Sequence, residues 1–143
     1  MIAQSSLRAT AAVMDCSITM SNQKTAEIVL EGNVPSKKNS RINLKSGVSI
    51  PNNKFVQWQN MAIIEVRRQT RVRFYKPVQL EVIIYFATLG KADLDNRLTS
   101  ILDMLVESLV IRDDKWQDVP LIKVQAEHRP RQPGAFIRLT EID

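Results

Sequence analysis

Between a predicted strand and a predicted helix, the chain reads Lys91-Ala92-Asp93-Leu94-Asp95-Asn96-Arg97-Leu98-Thr99. Asp93 and Asp95 are two residues apart, so in an extended backbone their side chains point to the same face and can share one cation. Aspartate is also a common N-cap, and Asp95 stands where the cap of the predicted helix would fall. A carboxylate has two oxygens, so Asp95 can serve both roles. Asp93 caps nothing obvious, which favours metal binding for it.

Regular elements flank this acidic motif on both sides. Downstream, apolar residues recur every three or four positions and predict an amphipathic helix. They are Leu94, Leu98, Ile101, Leu102, Leu105, Val106 and Leu109. Upstream, residues 78–88 alternate and become apolar on both faces, which is typical of a central strand. Because a strand and a helix bracket the motif, we expect its geometry to be preorganised.

A second acidic pair, Asp113-Asp114, follows the predicted helix. A rise of about 1.5 Å per residue puts the far end of that helix about 20 Å from Asp95, so spacing alone does not bring Asp114 to the first pair. The convergence of Asp93, Asp95 and Asp114 is therefore a hypothesis. The alternative is that Asp113 and Asp114 are solvated loop residues.

The order Asp-Leu-Asp-Asn, an amphipathic helix carrying Asp103, and then Asp-Asp resembles the signature of the RusA family of Holliday junction resolvases. The similarity is good over residues 91–119 and looser over residues 34–40, which contain a Pro-Ser-Lys-Lys-Asn segment. The resemblance implies a homodimeric endodeoxyribonuclease that nicks four-way DNA junctions symmetrically in recombination and repair. It also implies dependence on Mg²⁺, for which Mn²⁺ can substitute, and a cytoplasmic protein encoded by a bacterium or a phage.

The resemblance also assigns roles to single residues. The catalytic, metal-binding acids would be Asp93, Asp95 and Asp114, and accessory roles would fall to Asp113, Asp103, Thr99 and Asn96. Side chains with the chemistry to hold DNA phosphates would be Lys37, Lys38, Asn39, Arg41, Lys91 and Arg97.

One position departs from the family pattern, which usually has a lysine one helical turn after the second aspartate. This chain has Thr99 there, and a hydroxyl can donate a hydrogen bond but brings no charge to the scissile phosphate. Arg97, Lys91, Lys37 or Lys38 could supply the missing cation. A competing hypothesis is a branched-DNA-binding protein that has kept the fold and lost most of the chemistry. A third is an interaction domain whose acids are only caps and turns.

Composition narrows the class of protein. The chain has 143 residues, 44% of them hydrophobic, and only four glycines, which indicates one folded domain over residues 25–143 after a poorly ordered extension, residues 1–24. A net charge of +5 permits a polyanionic partner. The chain has a single cysteine, Cys16, which excludes an intramolecular disulfide. It also has a single histidine, His128, and these two counts argue against zinc sites and Ser-His-Asp triads. No apolar run is long enough to span a membrane, and no glycine-rich loop points to a nucleotide cofactor.

The predicted order of elements is strand, irregular hairpin, helix, strand, helix, strand, strand, which describes an α+β domain with a mixed sheet and two main helices. The last two strands, residues 120–128 and 135–142, can form a hairpin through the turn at 129–134. The basic run Arg67–Arg73 belongs to the end of the first helix, where cations suit the macrodipole, or extends a DNA-facing surface. Trp58 is expected in the core, and Trp116 either makes a small core contact or lies on a dimer surface.

Overall fold

The computed structural model describes residues 23–36, 41–43, 45–47, 49–51, 53–90 and 92–142. These residues form six strands and two helices. In chain order they are β1 (Thr25–Glu31), β2 (Arg41–Asn43), β3 (Ser49–Pro51), α1 (Asn53–Gln69), β4 (Val78–Phe86), α2 (Leu94–Glu107), β5 (Leu121–His128) and β6 (Gly134–Glu141). The predicted α+β class with a mixed sheet and two helices is confirmed.

The main sheet has the strand order β1-β6-β4-β5, with β2 and β3 forming a separate small hairpin. β6 is antiparallel to both of its neighbours, and β4 and β5 are parallel. Alternate residues of β4, beginning at Val78 and Leu80, are fully buried against the core that the two helices cover. The prediction of a central strand at residues 78–88 is therefore confirmed, with the strand ending two residues earlier.

The predicted hairpin between the last two strands is wrong. β4 lies between β5 and β6, so the segment 129–133 crosses the end of β4 and does not make a tight turn. The Arg129 N–H donates to the Phe86 carbonyl at 2.7 Å, and the Arg129 guanidinium lies over the Tyr85 ring at 4.1 Å. β6 takes the inner place because most of its residues are buried, whereas β5 is largely exposed along its length and suits the edge.

The first helix ends at Gln69, earlier than the basic run suggested. The Gln69 carboxamide reaches across to β1, where it accepts from the Val29 N–H and donates to the Val29 carbonyl, both at 2.7 Å. Residues 70–75 then continue without regular structure until β4 begins. Arg71 and Arg73 therefore lie outside the helix.

The second helix ends at Glu107, with Ser108 as its C-cap and Leu109 in the left-handed region at φ 67°. Glycine usually occupies such a position, because a side chain there costs about 1 kcal/mol. The turn sends Val110 and Ile111 into the core, which offsets that cost. It also fixes where the following acidic pair emerges.

Candidate active site

Asp93 and Asp95 lie at the start of α2 and are held by one residue. Asp93 is the N-cap, with an extended backbone (φ −82°, ψ 128°), and Asp95 is in the first turn. The Asn96 side-chain amide donates to Asp93 Oδ2 at 3.0 Å, and the Asn96 N–H donates to Asp95 Oδ1 at 3.0 Å. Asn96 therefore fixes both carboxylates while leaving the second oxygen of each outside these two bonds.

The expected capping role of Asp95 is wrong, since the cap is two residues earlier. The Asp93 carboxylate makes no hydrogen bond to the backbone of the first turn and bonds the Asn96 side chain instead. Because helical geometry begins at Leu94, the pair does not sit on one face of an extended strand. Both carboxylates are exposed, and an anion in the first turn of a helix is favoured by the macrodipole.

The hydroxyl of Thr99 is engaged within the helix. Thr99 Oγ1 donates to the Asp95 carbonyl oxygen at 3.0 Å, a common bond for threonine one turn along. Its proton is thus directed at the backbone. Arg97 points to another side of the helix, because two residues turn an α-helix by about 200°. The Arg97 side chain is half-buried, and its Nε has no hydrogen-bond partner among the described residues.

The segment that precedes the candidate DNA-binding residues is packed against α2. Val34 and Ser36 are buried, and the Ser100 hydroxyl donates to the Pro35 carbonyl at 2.6 Å. Lys37, Lys38, Asn39 and Lys91 lie outside the described residues, and Arg41 is described only as part of the backbone of β2. The residue that sequence reasoning missed here is Ser100, a fully buried serine in the middle of an amphipathic helix, and that unusual placement was its signal.

The second acidic pair lies at the other end of α2. Asp103, Asp113 and Asp114 line a cleft of about 280 Å³ together with Glu107 and three residues of α1, which are Phe55, Val56 and Gln59. The Asp113 carboxylate accepts from the Asp114 N–H at 2.8 Å and pairs with Lys115 at 3.5 Å. Glu107 was not among the predicted site residues, although it stands one turn after Asp103 on the same face.

Electrostatics distinguishes the two members of this pair. Partial burial raises the pKa of Asp114, as do the hydrogen bond and charge of Asp113 and the charge of Asp103. The bond from the Asp114 N–H lowers the pKa of Asp113, and Lys115 adds to that effect. Asp114 is thus crowded by negative charge.

The two acidic groups do not meet within one chain. In the part of the chain that the structure describes, which includes Asp93, Asp95 and Asp114, no three His, Cys, Asp or Glu side chains gather closely enough to hold a metal ion. Asp95 of the first group and Asp103 of the second are eight residues apart on α2, which is about 12 Å along the helix axis. The predicted convergence is not present in a single copy of the chain.

The family model for endodeoxyribonuclease RusA matches residues 31–140, which is most of the chain. The chain belongs to the RusA endodeoxyribonuclease family. The match covers both acidic groups, the segment at Pro35 and the whole main sheet after β1. A search of the curated proteins finds no relative that matches the chain significantly.

Two aromatic side chains of this RusA-family protein are strongly exposed. Trp116 is 74% exposed, which rejects a core contact, and Tyr75 is 63% exposed, whereas its neighbour Phe74 is buried. Trp58 packs partly against the core, as predicted, with its ring 6.1 Å from that of Phe55. Among the described residues, no helix has the length and apolarity to cross a membrane.

Proposed function

We propose that this RusA-family protein is a Mg²⁺-dependent endonuclease that resolves four-way DNA junctions as a homodimer, making paired cuts in recombination and repair. The observation that carries the proposal is the arrangement at the start of α2, where Asn96 fixes two exposed carboxylates side by side in the sequence pattern of the family. The helix macrodipole favours acids at this position, but it does not require that one side chain orient both of them.

The residues at the start of α2 fit part of a Mg²⁺ site. Mg²⁺ prefers hard oxygen ligands and is commonly bound by one or two carboxylates together with waters and substrate phosphates. Asp93 and Asp95 each keep one oxygen outside the bonds from Asn96. A bound ion would acidify a water and polarise the scissile phosphate. A three-acid site does not fit within one chain, because among the described residues Asp93, Asp95 and Asp114 do not gather closely enough to hold an ion.

A second copy of the chain would bring the third acid to the first pair. If two α2 helices lie side by side in opposite directions, Asp93 and Asp95 of one copy face Asp114 of the other. The two-fold symmetry of such a dimer makes two identical sites, separated by about the length of α2, roughly 20 Å. Two sites are what symmetric nicking of a junction requires.

The surface of α2 supports this arrangement. An apolar row four residues apart runs along the helix, and each member is only partly buried in the single chain. The row is Leu94, Leu98, Leu102 and Val106. The edge strand beside it also exposes Ile122. A partner helix would cover this row, which a monomer leaves in contact with water.

The chain's own residues have separable roles in the proposed reaction. Asn96 orients Asp93 and Asp95, and the negative charge around Asp114 makes that carboxylate a receptor for positive charge. Ser100 holds Pro35 on α2. Lys37, Lys38 and Asn39 follow Pro35 in the sequence and are proposed to bind DNA phosphates. Mn²⁺ is expected to replace Mg²⁺, since both accept carboxylate and water ligands.

Cleavage of a synthetic four-way junction tests the proposal. With Mg²⁺ or Mn²⁺ the wild-type protein is expected to produce paired nicks, and Asp93→Asn and Asp95→Asn are expected to lose at least a hundredfold in rate. Asp118→Asn is the control, because Asp118 pairs with Arg112 at 2.9 Å and belongs to neither acidic group. Equal nicking by all four proteins would overturn the assignment.

One observation favours a second candidate, a junction-binding protein with little catalytic activity. The Thr99 hydroxyl donates to the Asp95 carbonyl, so where the family pattern has a lysine this chain offers neither a charge nor a free proton. Arg97 turns to another side of the helix and does not replace it. This candidate predicts tight, salt-sensitive binding of junctions without cleavage in either metal.

A further inference from the structure

Three arginines line a groove at the end of α1. Arg67 is in the last turn of the helix, and Arg71 and Arg73 follow in the segment that leads to β4. All three are exposed, and they line a groove of about 300 Å³ whose apolar lining includes Val66, Val72 and Val110. We call these three residues the arginine surface.

The arginine surface is not neutralised by the protein. Neighbouring Arg68 pairs with Glu65 at 3.4 Å, but within the described ranges no ion pair joins Arg67, Arg71 or Arg73 to a carboxylate. The sequence has no acidic residue between Glu65 and Glu81. Repulsion between like charges makes such a cluster slightly unfavourable for folding, so stability does not explain it.

The helix macrodipole accounts for only part of this charge. Cations in the last turn of a helix interact favourably with its C-terminal carbonyls, and that effect falls off within one turn. The macrodipole explains Arg67 and Arg68, which lie in the last turn of α1. Arg71 and Arg73 lie beyond the end of the helix and gain little from it.

The backbone that carries the arginine surface is fixed although it has no regular structure. The Gln69 side chain anchors its start to Val29, and the Phe74 N–H donates to the Val110 carbonyl at 2.8 Å at its end. Lys24 Nζ donates to the Arg73 carbonyl and lies 5.5 Å from the centre of the buried Phe74 ring. The arginines are therefore displayed on a rigid base, which lowers the entropy lost on binding.

The groove of the arginine surface is linked to the second acidic group through the segment that begins at Val110. Val110 lines its groove and bonds Phe74, and the acidic pair follows only a few residues after Val110. The cleft of the second acidic group contacts α1 at Phe55, Val56 and Gln59, and the arginine groove contacts α1 from Val66 onward. The rise from Gln59 to Val66 is about 10 Å, which is about three nucleotide steps of a DNA strand. Guanidinium groups bind phosphate oxygens in a bidentate manner and remain charged at all relevant pH values.

We propose that Arg67, Arg71 and Arg73 bind the sugar–phosphate backbone of the DNA arm that leaves the cleavage site on the Asp114 side. The inference rests on the proposed function, because it takes the substrate to be branched DNA. It adds a contact surface that is formed by the end of α1 and the residues that follow it. The contacts are to phosphates, so they add affinity and orientation without base preference.

Salt dependence of binding tests the inference. A fluorescent four-way junction is titrated in EDTA, where no cleavage occurs, at several salt concentrations for three proteins. They are the wild type, the triple variant Arg67→Gln, Arg71→Gln, Arg73→Gln, and the triple variant with Lys at the same positions. Each lost phosphate contact lowers the slope of log affinity against log salt by about 0.9. The Gln variant is expected to lose about two to three units of slope, and the Lys variant to keep most of it.

The controls separate this inference from the proposed function. Lys123→Gln removes a charge from the exposed edge strand, on the sheet face opposite the helices, and is expected to keep the wild-type slope. Each single Arg→Gln variant is expected to lose about one unit of slope. The single variants keep the test valid if the triple variant does not fold. If the wild type binds the junction and the Gln variants keep its slope, the DNA-binding role of the arginine surface is refuted and the proposed function is not. If the wild type binds no DNA, the proposed function fails with it.

Discussion

The hydroxyl of Ser100 donates a hydrogen bond of 2.6 Å to the carbonyl oxygen of Pro35, across 65 positions of the sequence. Ser100 is fully buried, and it lies on α2 one turn after Asn96, the residue that holds the two aspartates. The bond therefore ties the segment that precedes Lys37 and Lys38 to the same helix as the acidic pair. The position of Pro35 and the position of the acidic pair are therefore both fixed by α2.

Ser100→Ala is expected to weaken DNA binding several-fold through this bond. Without the hydroxyl, the Pro35 carbonyl loses this hydrogen bond, and the free energy of unfolding falls by about 1 kcal/mol. Ser108→Ala is the matched control, because Ser108 is also buried on this part of the chain and its hydroxyl donates locally to the Leu105 carbonyl at 3.1 Å. Urea unfolding and junction titration of both variants make the comparison. Equal loss of affinity in both would contradict the role given to Ser100.

Mixing two inactive variants is expected to restore activity. In the proposed dimer, a hybrid of Asp93→Asn with Asp114→Asn contains one site with all three acids and one site with two substitutions. Random association makes half of the dimers hybrids, so about a quarter of the sites become active. The product should be singly nicked junctions, which stay four-armed on a native gel, whereas paired cuts release two duplexes.

The matched mixture is Asp93→Asn with Asp95→Asn, where both substitutions fall in the same acidic pair. Neither site of that hybrid is complete, so no activity should return. Activity in this second mixture, or none in the first, would refute the arrangement with antiparallel helices while leaving the family assignment unchanged.

Thr99→Lys is expected to raise the cleavage rate at least tenfold. The side chain at position 99 is exposed, so a lysine fits, and its charge can stabilise the negative charge that develops on the phosphate. Thr99→Gln gives a chain of similar length without charge and should match the wild type. Single-turnover cleavage at saturating protein separates this effect from binding. A Lys variant no faster than the Gln variant would show that no missing cation limits the reaction.

Asp114→Asn is expected to leave the fold as stable as the wild type or slightly more stable at pH 7. The pKa of Asp114 is raised, mainly by burial and then by Asp113 and Asp103, so the folded state binds its proton more tightly than the unfolded chain. The folded state of the wild type is therefore destabilised as pH rises from 3.8, the ordinary pKa, through the raised pKa of the folded state. The destabilisation persists at higher pH. Because Asp114 is exposed, solvent screening limits the gain to about 0.5 kcal/mol or less.

Asp113→Asn should have the opposite effect. The pKa of Asp113 is lowered, chiefly by the bond from the Asp114 N–H, so its charge supports the fold above pH 3.8 and that support is lost as pH falls through the lowered pKa. Thermal unfolding of both variants between pH 3 and pH 7, in EDTA, gives the comparison. Destabilisation by Asp114→Asn at pH 7 would mean that Asp114 has a structural role.

Local patterns predicted the elements well because each depends on neighbouring residues. The alternation from Val78 and the spacing from Leu94 gave β4 and α2 to within two residues at each end. The order of strands was missed, because a Gly-Pro-rich turn at 129–134 does not encode which strand pairs with which. That order depends on the burial of β6 and on contacts such as Arg129 with Phe86, which are remote in sequence.

The candidate site was predictable to the same extent. Asp93, Asp95 and Asn96 form a local unit, and only the position of the cap was mistaken. The position of Asp114 depends on the turn at Leu109 and on the packing of Val110 and Ile111, neither of which a spacing rule captures. In the dimer proposed above, the three acids would come from two chains, so the spacing within one chain would not predict their meeting.

The insertion of β6 between β1 and β4 has a consequence during synthesis. Position 25 pairs with position 140, and residues 78–85 of β4 have their antiparallel partner at 134–141. A nascent chain on the ribosome therefore carries two strands with open edges until the last of these residues emerges, and open edges invite association with other chains. A polypeptide halted before residue 134 would lack the centre of its sheet, so it could not cut DNA prematurely and would be a ready target for proteases.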